Sequence, residues 1–316
     1  MHMLALPGDE LVLWHGAGWV QTGTAAGEWR RTLRLPLRSI VDVKPDAGGI
    51  LAAGAMAEAP DDKTTTVLRV DADGSALGRW TVPGMVYGLV VDERGRAAST
   101  AAGLVPLVDD GAMGAPQRLQ GGGPAPYSNP PTLVARIGSS TIVCRGQDMS
   151  MQHSAPGQCD RRGDAAWHLE GHFALPPVAC GDWLVAAEWK RSWSVKVYSI
   201  ETGKPATQIR VPVAPALACA GKRELFLGGR RLELLRLPGR GAIWSRSVGN
   251  GKIVELAVTD TTVVYRADDS PDVVILPRPQ ARRSRTNSPC AHRLRHDNRY
   301  RQTRSVPPSG IPQVPL

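Results

Sequence analysis

Six short turns closed by glycine punctuate this chain at Ala26-Gly27, Asp73-Gly74, Asp110-Gly111, Arg162-Gly163, Thr202-Gly203 and Arg240-Gly241, with spacings of 47, 37, 52, 40 and 38 residues. Glycine suits such places because hairpin turns often need a positive φ. Alternating strands precede most of these turns, as in Thr66-Val67-Leu68-Arg69-Val70 and Ser194-Val195-Lys196-Val197-Tyr198-Ser199-Ile200. Beyond the turns a further strand often holds a tryptophan: Trp29, Trp80, Trp167 and Trp244. Self-similarity at this period is the signature of a repeat architecture.

Working outward from the turns, the clearest unit divides into four strands, Pro177–Cys180, Trp183–Ala187, Ser194–Ile200 and Thr207–Val211. The next repeats the plan with Ala216–Cys219, Glu224–Leu227, Leu232–Leu235 and Ile243–Arg246. Leu4 to Leu13 has the spacing of Ala216 to Leu227 with slight contraction, so the chain starts where a unit starts. The seventh unit offers Ile253–Leu256, Thr262–Tyr265 and Asp272–Leu276, and the pattern then ends at Pro277-Arg278-Pro279. The expectation is an all-β, seven-bladed β-propeller of four-stranded antiparallel blades over residues 1–278. Its last blade is incomplete, which leaves an unpaired edge prone to pairing.

Composition agrees, with 34 Gly, 26 Pro and short apolar runs bounded by turn residues. No run approaches the roughly 18–20 apolar residues that span a bilayer, and the N-terminus has no basic region followed by an apolar stretch. The sequence therefore reads as cytoplasmic as written, and as periplasmic or secreted if an N-terminal signal is missing. The net charge of +9 is unevenly placed: residues 278–316 hold nine Arg, no Lys and one acid, Asp297. The remainder is nearly neutral, which argues against nucleic-acid binding by the repeat domain. Residues 279–316 read as a disordered Arg/Pro-rich tail that cannot bury enough apolar surface to offset its ordering entropy. With no lysine and four prolines in its last ten residues, it reads as a non-native or degenerate end in preference to an arginine arm for RNA, DNA or acidic lipid.

Tyr198-Ser199-Ile200-Glu201-Thr202-Gly203-Lys204 resembles the hairpin of the quinoprotein-type (PQQ-type, WD40-like) propeller repeat. Gly49–Gly54 followed by Leu68–Gly74 is similar to other bacterial propeller repeats. The resemblance implies the fold; for the quinone-dependent dehydrogenases of that superfamily it would imply a quinone, a calcium-type metal and a catalytic Asp. This chain departs from them in being much shorter and in lacking an adjacent Cys pair and a cofactor cluster. No cofactor and no metal is expected.

In a propeller, the loops joining second and third strands gather with the inter-blade loops at one mouth of the central channel, where a rigid frame can carry function. The candidates there are Trp14 and His15, Glu58 with Asp61 and Asp62, Arg145 to His153, Trp189, Lys190 and Arg191, Arg230, and Asp268 with Asp269. Glu188-Trp189-Lys190-Arg191-Ser192-Trp193 is the most distinctive, joining two aromatics to two cations that can stack on a sugar, a base or a peptide side chain. His153, His168 and His172 lack a metal-ligand spacing. Nucleophile-elbow, Walker, dinucleotide and Cys-x-x-Cys motifs are absent. Cys144 and Cys159 are placed to face one another across two strands, Cys180 and Cys219 read as small buried core residues, and Cys290 falls in the tail. The reading is a non-catalytic binding or scaffold propeller with a protein or small-molecule partner at the channel mouth. The alternative is a small-molecule lyase or hydrolase using polar groups there.

Overall fold

The computed structural model of the chain describes residues 2–6, 8–56, 63–71, 73–117, 132–137, 139–146, 156–174 and 177–279. Among them, strands in chain order make seven antiparallel sheets, the seven blades of a propeller. Blade 1 is β1 (His2–Leu6), β2 (Glu10–His15), β3 (Trp19–Thr24) and β4 (Trp29–Arg34). Blade 2 is β5 (Leu37–Asp46), β6 (Gly49–Met56), β7 (Thr64–Asp71) and β8 (Ala76–Pro83). Blade 3 has β9 (Val86–Asp92), β10 (Gly95–Thr100) and β11 (Gly103–Leu107), its outer edge met by isolated bridges from Met113 and Gln117. Blade 4 is β12 (Thr132–Ile137), β13 (Ser140–Arg145), β14 (Gly157–Arg162) and β15 (Trp167–Gly171). Blade 5 is β16 (Val178–Cys180), β17 (Trp183–Trp189), β18 (Trp193–Ser199) and β19 (Pro205–Val211). Blade 6 is β20 (Ala216–Ala220), β21 (Glu224–Gly228), β22 (Arg231–Arg236) and β23 (Ala242–Ser247). Blade 7 has β24 (Ile253–Val258), β25 (Thr262–Ala267) and β26 (Val273–Pro277), and no fourth strand among the described residues.

Position in the blade explains strand composition. Each blade is covered on both faces by its neighbours, so the second strands are apolar almost throughout: Leu11 to Trp14, Ile50 to Gly54 and Leu225 to Gly228 are buried without interruption. Outer strands see solvent and read polar, as in Trp-Arg-Arg-Thr-Leu-Arg of β4. Burying one Leu, Val or Phe side chain contributes about 1.5–3 kcal/mol, and the seams between blades are built from many of them. Val12, Leu37 and Leu68 join blades 1 and 2, and Leu51, Trp80 and Val105 join blades 2 and 3. Ile142, Phe173 and Leu184 join blades 4 and 5, Val195 and Leu235 join 5 and 6, and Phe226 and Val263 join 6 and 7. Between blades 3 and 4 the described contact is polar, with Arg136 Nη1 on both Asp92 oxygens at 2.6 and 2.8 Å.

Among the described residues the ring closes without strand exchange. Met3, Leu11 and Leu13 of blade 1 pack on Ala257 and Val264 of blade 7, and the Thr261 amide donates to Asp9 Oδ1 at 2.9 Å. Five of the six turn glycines have a positive φ, Gly241 being the exception. At Gly203, with φ +68, a Cβ would also lie 2.9 Å from the Trp167 ring of the preceding blade, so two independent constraints demand glycine there.

The cysteines need one correction. Cys144 and Cys159 are directly opposed on β13 and β14 and form a disulfide, as their placement suggests. Cys180 and Cys219 are not free core thiols: they form a second disulfide that ties β16 of blade 5 to β20 of blade 6, with Cα atoms 5.5 Å apart. First strands of adjacent blades lie side by side near the axis, which brings equivalent positions within reach.

Candidate functional site

The loops between second and third strands, and the connections from one blade to the next, share one face of the ring because every blade is an antiparallel meander. On that face lie the ends of β2, β13, β17, β21 and β25. Trp14 is only 8% exposed, packed in the seam of blades 1 and 2 with its ring 5.4 Å from that of His2. His15 is exposed and its Nδ1 accepts from the Ala17 amide at 3.2 Å. Arg145 is half-buried, and desolvation pulls its pKa down against the opposing charge of Asp160. Trp189, Lys190 and Arg191 are exposed at the β17–β18 tip, and Arg230 is exposed at the β21–β22 tip. Asp268 receives the Lys252 amide at 2.9 Å and lies 3.8 Å from its ammonium, beside exposed Asp269. Glu58, Asp61, Asp62 and His153 lie outside the described residues. The side-chain hydrogen bonds, ion pair and ring contacts of His15, Trp189 and Asp268 are each with their own blade, Trp14 packs into the seam with blade 2, and no group of three or more metal-ligating residues occurs among the described residues.

The face instead presents aromatic and cationic groups in two places. At the blade 5 tip the Trp189 and Trp193 rings are 6.5 Å apart and tilted by 50°, with Lys190 and Arg191 between them in sequence. In blade 1, Arg34 lies over the Trp19 ring at 5.5 Å. The latter pair was not singled out by sequence, although Trp19 at the start of β3 and Arg34 at the end of β4 are register partners. Met85, on the connection from blade 2 to blade 3, is 60% exposed on the same face.

A second polar constellation lies below this face, in the seam of blades 4 and 5. Glu188, in the apolar β17, is 4% exposed. Its Oε2 takes Lys196 Nζ at 2.7 Å and its Oε1 accepts from Tyr198 OH at 2.9 Å. Lys196 and Tyr198 are two apart on β18, so both project toward blade 4. Burial raises the Tyr198 pKa and the adjacent Glu188 charge raises it further, so this phenol is a donor and not a base. Lys196 and Tyr198 line an open groove of about 560 Å³ that continues past Glu170, Thr207 and Gln208 to Arg240. At its blade 4 rim, Asp160 Oδ1 at 2.7 Å from His168 Nδ1 is the main influence raising that imidazole's pKa, with Glu170 3.5 Å from Nε2.

No protein-family model and no curated protein matches this sequence. Solved structures do. The chain is similar to BamB from Moraxella catarrhalis at 12% identity and a TM-score of 0.56, over 87% of this chain and 95% of that one. It is similar to Hsv2 from Kluyveromyces marxianus at 10% identity and TM-score 0.56, over 84% and 88%. The computationally designed Ika8 protein matches at 16% identity and TM-score 0.54, over 86% and 81%. At such identities the likeness carries the propeller fold and no activity.

Proposed function

We propose that this chain is a non-catalytic binding propeller whose protein partner docks on the loop face at the channel mouth. The observation that carries the reading is the β17–β18 tip, where Trp189 and Trp193 sit with Lys190 and Arg191 on a rigid hairpin. Aromatic, Met and Arg side chains are the types enriched at protein interfaces, and Trp19, Arg34 and Met85 extend the same chemistry around the face. The Tyr198–Lys204 hairpin supports a quinoprotein-like descent for the repeat, used here as a scaffold. Two disulfides support an oxidising compartment as its place of work.

The test is cross-linking mass spectrometry of the full chain in its native host, followed by affinity measurement with the partner so identified. Cross-links should concentrate at residues 15–19, 84–85 and 189–193, and Trp189→Ala should weaken binding by at least about tenfold, as truncation of an interface anchor does. Undiminished affinity in Trp189→Ala and Arg191→Ala alike would remove the basis of the assignment.

A further inference from the structure

Among the described residues, blade 7 lacks the fourth strand that blades 1, 2, 4, 5 and 6 possess. In blades 1, 2 and 4 the fourth strand pairs with the third and sends a side chain across to the hairpin turn of the next blade. A methyl built on Gly74 would come within 2.6 Å of Leu33 from β4, and one on Gly203 within 2.9 Å of Trp167 from β15. The contact is tightened by indole hydrogen bonds, Trp80 Nε1 to the Val108 carbonyl at 2.7 Å and Trp167 Nε1 to the Ile200 carbonyl at 2.8 Å. The corresponding glycine in blade 1 is Gly27, and there the nearest neighbour of such a methyl is Ile275 Cδ1 at 3.8 Å, reaching over from a third strand. Among the described residues, the seam of blades 7 and 1 therefore has a slot one strand wide, bounded by the open edge of β26 and the turn at Gly27.

The rim of that slot is acidic. Asp272 immediately before β26 and Glu28 beside Gly27 are exposed, and neither makes an ion pair among the described residues. Resident outer strands show how such acids are answered: on β4, Arg30 reaches Glu10 at 2.9 Å and Arg31 reaches Asp73, in the next blade's turn, at 2.8 Å.

We infer that the open edge of blade 7 is a docking site for a basic, extended segment of another protein, which pairs with β26 as a fourth strand and seats a Trp or Leu against the Gly27 turn. Strand addition to an exposed sheet edge draws affinity from main-chain hydrogen bonds and specificity from alternate side chains. The chain's own continuation suits the slot less. Turns between third and fourth strands here take four or five residues, as from β3 to β4 and from β18 to β19; that spacing would offer Arg282-Arg283-Ser284-Arg285-Thr286-Asn287-Ser288, which has no aliphatic or aromatic residue. A second copy suits it less as well, because β26, Val273 to Pro277, carries no cation. The inference concerns the rim and stands apart from the loop-face reading.

The full chain is titrated with a labelled peptide of its own residues 27–36, Gly-Glu-Trp-Arg-Arg-Thr-Leu-Arg-Leu-Pro. Saturable binding with Kd on the order of 10–100 µM is expected, weakening with added salt and slowing hydrogen exchange of the β26 amides. The same peptide carrying Thr32→Pro should bind at least about tenfold more weakly, since proline removes a ladder donor. Four outcomes would overturn the inference: no saturation up to about 1 mM peptide; binding that leaves β26 exchange unchanged; β26 amides already slow in the peptide-free chain and freed by truncation after Pro279; or protection that rises with protein concentration alone. The third would identify the tail, and the fourth a second copy, as the occupant.

Discussion

The seam between blades 5 and 6 and the seam between blades 7 and 1 do the same job with different means. The first has complete four-stranded sheets on both sides, an apolar layer of Val185, Val195, Leu225 and Leu235, and the Cys180–Cys219 disulfide near the axis. The second joins the first blade to the last, a three-stranded sheet among the described residues, with a small cluster around Leu11 and Val264 and hydrogen bonds to Asp9. Every other seam joins units adjacent in sequence. This one closes the largest loop in the molecule, and it does so with a smaller apolar cluster than the stapled seam has. Of these two joints the lighter one opens first, so blade 7 limits the stability of the ring more than the stapled side does.

The largest expected effect comes from removing the staple. Cys180→Ser with Cys219→Ser opens a crosslink spanning 39 residues, worth about 4 kcal/mol by chain entropy. The Cys144–Cys159 link spans 15 and is worth about 3 kcal/mol. Urea unfolding of the two double variants should rank them in that order. If the 5–6 seam stays the stronger even when reduced, removing its disulfide should lower global stability without producing a separate early transition.

Leu11→Ala probes the other seam. The side chain is fully buried among Met3, Leu13 and Val264, and such truncations cost about 2–5 kcal/mol. Here the cost should come with opening of the ring: amides of β1 and β24 should exchange together and before those of β16 and β20. Simultaneous exchange of all four strands would mean that the two seams are equally strong, and the comparison would fail.

A third break lies in the seam of blades 4 and 5. Lys196→Met leaves Glu188 buried without its cation and should cost about 3 kcal/mol, whereas Tyr198→Phe removes one hydrogen bond to that carboxylate and should cost about 1–2 kcal/mol. The double variant Lys196→Met with Glu188→Leu should recover most of the loss, because a buried pair often exchanges for apolar residues at little cost. Calorimetry of the three variants separates a structural lock from a site whose charges serve a ligand in the adjoining groove.

What the sequence made legible follows the same physical divide. Blade number, strand order and the truncated seventh blade are local properties, written in alternation and in turn glycines, and they stand in the structure as expected. The Cys180–Cys219 bond was hidden because it joins residues far apart along the chain; both were seen to occupy equivalent first strands, but only the ring sets those strands side by side. Glu188 was read as the start of a loop because an isolated carboxylate beside Trp189 and Lys190 signals solvent. Its burial depends on Lys196 and Tyr198, which the pairing of β17 with β18 brings to the same side. The outer edge of blade 3, reduced to bridges at Met113 and Gln117, had no clear strand pattern to read.

The smallest expected effect is the most specific to ring closure. Asp9 is partly exposed, yet hydrogen bonds from the Thr259 side chain first, and from the Thr261 amide next, hold its pKa below the ordinary carboxylate value of 3.8. A depressed folded-state pKa contributes stability that is fully present above the unfolded value and is lost as pH falls through the folded one. Asp9→Asn keeps an acceptor for the Thr261 amide and removes only the charge. The urea midpoints of parent and variant should therefore differ by a constant amount above about pH 5 and converge as the pH drops toward about 2–3. Convergence accompanied by faster exchange of β24 would place the acid-sensitive step at the 7–1 seam. A gap that persists unchanged at low pH would show that Asp9 serves by shape and not by charge, leaving closure of the ring to Leu11 and its neighbours.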